Sequence, residues 1–238
     1  MALLEVRDLR TGYGSLQVLQ GISFDVNEGE TAVLLGLNGA GKTTTVLTLA
    51  GLQKAWSGTV TFDGKDVTNV DPRKLVTDGI VLVPEGRHVF PLLTVAQNLR
   101  LGAWPYRRDR KATRDKVEQA VEYFPRLRER WTQLAGTLSG GEQQMLALAR
   151  GLMARPKLLL IDEASLGLSP VLTETVFEVA KRINQDGTTV FLVEQNAGVL
   201  AIADRVFVME KGTIKYEGAG EEILDNAEVR RAYLGAPV

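Results

Sequence analysis

The chain has 238 residues, 45% hydrophobic and 24% charged, a mixture that excludes bulk disorder and suits one large α/β domain spanning 1–238. Lys plus Arg (28) nearly cancel Asp plus Glu (29) for a net charge of -1, which argues against a nucleic-acid partner, whose phosphates call for a basic excess. With no cysteine and one histidine, His88, the chain lacks thiolate chemistry, disulfides and any His-rich zinc constellation.

The opening MALLEVRDLR alternates and carries charge early, unlike a signal peptide. Residues 3–9 and 21–26 alternate as strands, and Asn27-Glu28-Gly29-Glu30 reads as a turn. Residues 31–35 (TAVLL) form an unbroken apolar strand, followed by a glycine-rich loop and a helix over 43–50. A strand at 58–62 meets Asp63-Gly64, a hairpin turn signal. Buried-type runs recur at 80–83, 157–161, 188–193 and 205–209, mostly separated by helical stretches. That alternation predicts a mostly parallel sheet covered by helices, next to an N-terminal antiparallel β subdomain. A last hairpin turns at Lys211-Gly212 and a short helical tail covers about 220–238.

One stretch interrupts this order. From 94 to about 131 everything reads as helix, opening on the capping box Thr94-x-x-Gln97, and the inserted helical subdomain extends over about 94–152. Its segment 107–130 holds nine basic and five acidic side chains, the pattern of a solvated helix face. No repeat of 20–50 residues is visible. No apolar run approaches the roughly 20 residues of a membrane span, so a soluble cytoplasmic chain is expected.

Gly36-Leu37-Asn38-Gly39-Ala40-Gly41-Lys42-Thr43 fits G-x-x-x-x-G-K-[ST] between a strand and a helix. Glycines let successive backbone N–H groups curl around phosphate oxygens, and the helix start adds its positive end. Asn38, Gly39, Ala40, Gly41, Lys42, Thr43 and Thr44 are therefore nucleotide-binding candidates. Lys42 is assigned to the β/γ-phosphates and the Thr43 hydroxyl to Mg²⁺. About 120 residues on, Leu158-Leu159-Leu160-Ile161 runs into Asp162-Glu163. Asp162 can support the metal shell, whereas Glu163, leaving the strand in another direction, can polarise a water for in-line attack. The loop alone does not separate ATPase, GTPase and kinase.

Leu138-Ser139-Gly140-Gly141-Glu142-Gln143-Gln144 opens a helix running to about 154. Ser139 and Glu142 form a second capping box, but capping does not require the glycine pair. With the serine hydroxyl and the helix start, those glycines make a second anion-binding surface. Here the sequence resembles the ATP-binding-cassette (ABC) ATPases over essentially its whole length, with LSGGEQ between the P-loop and the acidic strand. The resemblance implies ATP and Mg²⁺ as cofactors and a head-to-tail dimer. In it the P-loop of one subunit and Ser139, Gly140, Gly141 and Glu142 of the other clasp each ATP.

It also implies roles for single residues. Tyr13, in Thr-Gly-Tyr-Gly, matches the aromatic that stacks on adenine. Glu85 stands where relatives carry the Q-loop glutamine, which groups it with Thr43 and Asp162 as a metal ligand. Gln195 replaces the switch histidine and can donate an amide hydrogen bond but not relay a proton. Residues 166–169 match the D-loop, with Ser169 in place of aspartate, and Ala164 replaces a proline. PEGR-x-VFP, DE-x-SLGL-x-P and VEQN together resemble the LivF-type ATPases of branched-chain amino-acid importers, in which Glu and Gln at these places are usual.

The implied function is an importer ATPase with Glu163, Gln195 and Lys42 as its catalytic residues. Its partners would be a second ATPase subunit (identical or paralogous), two integral-membrane permeases and a solute-binding protein, at the inner face of the cell membrane. A permease coupling helix would lie in the groove around 85–101. The alternatives are a urea or amide importer, a soluble non-transport ABC ATPase, a small-molecule kinase that leaves LSGGEQ without a role, and a nucleotide-dependent scaffold motivated by Gln195.

Overall fold

The computed structural model describes residues 2–225 and residue 229. β1 (Ala2–Tyr13) and β2 (Leu16–Asn27) form a long antiparallel pair, with β4 (Ser57–Phe62) on the other edge of β1 and the short β5 (Lys65–Asp66) outside it. Both long strands run to 12 residues, further than their alternation foretold. The register shifts between Val6 and Leu9, around Asp8 at φ 44, and such a bulge resets which side chains face inward.

The second sheet has six strands in the order β10-β9-β3-β8-β7-β6. β3 (Thr31–Gly36) is central, flanked by β8 (Thr189–Glu194) and β9 (Arg205–Glu210). β7 (Leu158–Asp162) and β6 (Ile80–Val83) extend one side, and β10 (Thr213–Gly218) closes the other. Every pairing is parallel except the β9–β10 hairpin. β3, β7 and β8 are buried along their whole length, as sheets covered on both faces are. Alternate residues serve two apolar clusters. Leu34, Leu160 and Phe191 face the antiparallel sheet, where Phe24 stacks on Phe191 at 5.5 Å, while Leu35, Ile161 and Leu192 face the helices.

In the ladder Leu35 lies opposite Glu194 and Asp162 opposite Val193. The carboxyl ends of β3, β7 and β8 therefore finish side by side, the edge at which open α/β sheets bind ligands.

The stretch 94–131, expected to be helical, divides into four short elements, with a plain cause. α3 (Val95–Gly102) gives way to a 3₁₀ turn, Trp104–Tyr106, then α4 (Arg110–Tyr123) and α5 (Pro125–Glu129) follow. Pro105 and Pro125 lack an amide proton to continue a helix and sit at helix starts, and Asp109 caps α4 by accepting from the Ala112 amide. The Thr94/Gln97 capping box forms as expected. The fully buried Asn98 accepts from the Phe90 amide and donates to the carbonyls of Phe90, Leu93 and Thr94, fastening the loop beyond Glu85 onto α3. α6 (Gly140–Leu152) follows, and α1 (Lys42–Leu49), α2 (Pro72–Asp78) and α7 (Pro170–Gln185) complete the main layers. Of the tail, α8 (Gly220–Asp225) is seen, and 226–228 and 230–238 lie outside the described residues. Among the described residues no helix is long and apolar enough to cross a membrane.

Candidate nucleotide site

β3 leaves the sheet at Gly36 and the chain wraps into α1. Gly39 (φ 79) and Gly41 (φ 110) take the left-handed backbone that this tight loop demands. A Cβ on Gly41 would also stand 3.0 Å from both Leu19 and Met209. Ala40 is buried, and its carbonyl accepts the Gly212 amide at 2.8 Å, so the β9–β10 hairpin braces the loop from behind. A cavity of about 470 Å³ opens in front. Asn38, Gly39, Gly41, Lys42, Thr43 and Thr44 form one wall, and Glu85, Glu163 and Leu166 face them.

Lys42 and Glu163 meet across this cavity. Lys42 Nζ lies 2.9 Å from Glu163 Oε1, with side chains only 3% and 9% exposed, and also donates to the Leu37 carbonyl at 3.3 Å. Thr43 Oγ1 donates to Asp162 Oδ1 at 3.3 Å. Asp162 is 2% exposed, and burial pushes its carboxyl up to about 6. The Thr43 hydrogen bond and Lys42 oppose that rise, and the charges of Glu163 and Glu85 add to it. Glu163 takes a left-handed backbone (φ 44) while its amide donates to the Val193 carbonyl. Such strain in a non-glycine residue gathers at functional sites.

The other predicted residues separate into two groups. Tyr13 stands beside the cavity, its ring 47% exposed and its hydroxyl 3.5 Å from Thr44 Oγ1. Gln195 opens instead onto an adjoining cavity of about 250 Å³ that it shares with Glu163, Ser165 and Gly167. Glu163 lines both cavities and so stands between Gln195 and the P-loop.

Ser139, Gly140, Gly141 and Glu142 line neither cavity. Ser139 Oγ accepts the Glu142 amide at 3.3 Å, and Glu142 Oε2 accepts the Ser139 amide at 2.9 Å. The Ser139 backbone bond is the main cause that holds the Glu142 carboxyl below its usual range. Glu142 is thus engaged in its own helix cap, while the exposed Ser139 keeps its hydroxyl proton for another acceptor. Both glycines of the pair lie close against side chains of other segments. A Cβ on Gly140 would lie 2.9 Å from Arg87 Nη1, and one on Gly141 would lie 2.6 Å from Leu172 Cδ1.

Two polar residues escaped the sequence reading. Arg87, at φ 66 in the run PEGR, lays its guanidinium against Gly140. Glu194, 1% exposed, accepts from the Ser165 amide at 3.1 Å and from Ser165 Oγ at 2.6 Å. Burial pushes the Glu194 carboxyl up to about 7, the Ser165 bonds oppose this, Glu163 raises it further and Lys42 lowers it. Its only sequence signal is a charge closing an otherwise apolar strand.

Residues 19–166 match the ABC transporter family. The high-affinity branched-chain amino acid transport ATP-binding protein BraG of Pseudomonas aeruginosa is 44% identical over 234 residues, covering 98% of this chain and 100% of that protein. Among solved structures, an ATP-binding cassette of an ABC transporter in its ADP conformation superposes with a TM-score of 0.87 at 28% identity, covering 99% and 100% of the two chains. A dimeric ATP-binding cassette in a post-hydrolysis state, bound to ADP and Pi, superposes at 0.78 with 25% identity over 91% and 98%. The P-loop, the acidic strand end and the capped LSGGEQ helix therefore stand in a known frame, and the chain belongs to the ABC transporter family of ATP-binding cassettes.

Proposed function

We propose that this chain is the ATP-hydrolysing subunit of an importer for branched-chain or other hydrophobic amino acids. The likeness to BraG over the full length of both chains carries the transport reading. The meeting of Lys42 with Glu163 and of Thr43 with Asp162 at the P-loop cavity supports hydrolysis. The chain acts as one ATP-binding domain with a helical insert over about 94–152. It works as a dimer with an identical or paralogous ATPase, on two permease subunits served by a solute-binding protein, at the inner face of the membrane. Two features support the dimer: the signature residues lie outside the P-loop cavity of their own chain, and a structural relative is dimeric.

In this reading the triphosphate lies along the P-loop amides, with Tyr13 against the adenine. The β- and γ-phosphate oxygens take Lys42 from Glu163, because a phosphate carries more charge than one carboxylate and the loop amides add to it. Glu163 is then free to accept a proton from the attacking water as the bond to the leaving ADP breaks. Thr43 Oγ1 and Asp162 are hard oxygen donors in contact with each other, and Glu85 lines the same cavity as Thr43. Two or three such oxygens fit Mg²⁺, which keeps several waters and binds phosphates. When bound it supplies charge neutralisation. Gln195 and Ser139 are placed as neutral donors, Gln195 beside Glu163 and Ser139 toward the partner subunit's nucleotide.

The test is reconstitution with the cognate permeases and solute-binding protein in proteoliposomes. ATP-driven uptake of leucine, isoleucine and valine is expected. Hydrolysis that none of these solutes stimulates, with uptake of another solute instead, would overturn the amino-acid assignment.

A further inference from the structure

Glu194 is a fully buried carboxyl that the mechanism above does not use. It closes β8, one residue before Gln195, and both of its oxygens are taken by one residue of a different element. Ser165 donates its amide to Oε1 at 3.1 Å and its hydroxyl to Oε2 at 2.6 Å. Ser165 stands two residues after Glu163 and opens the exposed stretch that carries Leu166 and Gly167 toward α7. The backbone adds a second tie, since the Glu163 amide donates to the Val193 carbonyl just before Glu194. A carboxyl that is 1% exposed is costly to charge, and an apolar residue would close β8 more cheaply. What the carboxyl provides is a pair of oxygens that fixes the Ser165 backbone and side chain together.

We propose that Glu194 is a positioning residue for ATP hydrolysis, holding the loop after Glu163 and the backbone of Gln195 in one register. The proposal rests on the ATPase reading and goes beyond it. It makes the geometry of Glu163 relative to Gln195 a property of the Glu194–Ser165 link and not of either residue alone. Fixed in this way, Glu163 meets the attacking water at a set angle, and a displacement of about an ångström costs on the order of a hundredfold in rate.

The experiment compares wild type, Glu194→Ala, Glu194→Gln, Ser165→Ala and the double variant Ser165→Ala/Glu194→Ala in steady-state hydrolysis of MgATP by the assembled transporter. Hydrolysis by wild type, measured first, tests the ATPase reading by itself. Glu194→Ala is expected to lower kcat at least tenfold with KM for ATP within twofold, because Glu194 does not line the P-loop cavity. Ser165→Ala is expected to lower kcat severalfold, and the double variant to be no slower than Glu194→Ala. Glu194→Gln, whose amide can still accept from the Ser165 amide and donate to its hydroxyl, is expected to keep kcat within threefold. If Glu194→Ala does not fold, Ser165→Ala and Glu194→Gln decide the matter. The proposal is overturned by wild-type kcat in Ser165→Ala, by multiplicative losses in the double variant, or by a Glu194→Gln as slow as the alanine.

Discussion

Replacing Glu194 by Gln changes how stability depends on pH, by an amount the burial of the group sets. The Glu194 carboxyl is raised from 4.5 to about 7 in the fold, chiefly by burial. The folded chain therefore takes up this proton at higher pH than the unfolded chain does. The contribution of Glu194 to stability is least favourable above pH 7 and improves as pH falls toward 4.5. At 1.36 kcal/mol per pK unit, the span is about 3 kcal/mol. Gln does not titrate, so the stability of Glu194→Gln minus that of wild type is expected to climb by about 3 kcal/mol between pH 4.5 and 7 and level off above. Urea unfolding of both proteins at closely spaced pH values from 4.5 to 8.5 reads this difference, and titrating groups remote from Glu194 cancel in it. A difference that stays flat across the range refutes the argument. It would mean that the two Ser165 bonds fully offset desolvation and Glu194 is ionised throughout.

Three further outcomes follow from the site. Glu163→Gln is expected to lower turnover by about 10²–10⁴, the range for a general base, and to bind ATP at least as tightly as wild type because Lys42 is released from its carboxylate; unchanged turnover in single-turnover kinetics removes Glu163 from the chemistry. Lys42→Ala is expected to weaken ATP binding by about 10- to 150-fold by calorimetry, the loss of a charge-assisted contact worth about 1.5–3 kcal/mol; unchanged affinity would contradict the P-loop assignment. Gln195→Ala is expected to slow hydrolysis about tenfold in the assembled transporter, and an unchanged rate would make the amide a bystander to the γ-phosphate.

Much of the site was legible because its chemistry is local. The P-loop needs Gly39 and Gly41 at left-handed positions directly between β3 and α1, and that requirement is written in consecutive residues. The Ser139/Glu142 and Thr94/Gln97 capping boxes are likewise matters of a four-residue window, and both formed. Even Asp162 and Glu163 could be paired with the loop, since an apolar strand ending in carboxylates has few other uses beside a phosphate site.

What escaped the reading depends on contacts between segments far apart in the chain. Glu194 looks like an ordinary charge at a strand end until β7 and β8 are set side by side and Ser165 is found against it. Gly140 lies against the guanidinium of Arg87, 53 residues earlier, a contact that the helix it begins does not foretell. The Lys42–Glu163 pair spans 121 residues and exists only because parallel pairing brings the carboxyl ends of β3, β8 and β7 to one edge. Residue order determined the phosphate loop, the caps and the apolar periods, because these are interactions within a few residues of each other. The distances across the cavity, and the charges that burial there shifts, were decided by strand order in the six-stranded sheet, which no short window of sequence encodes.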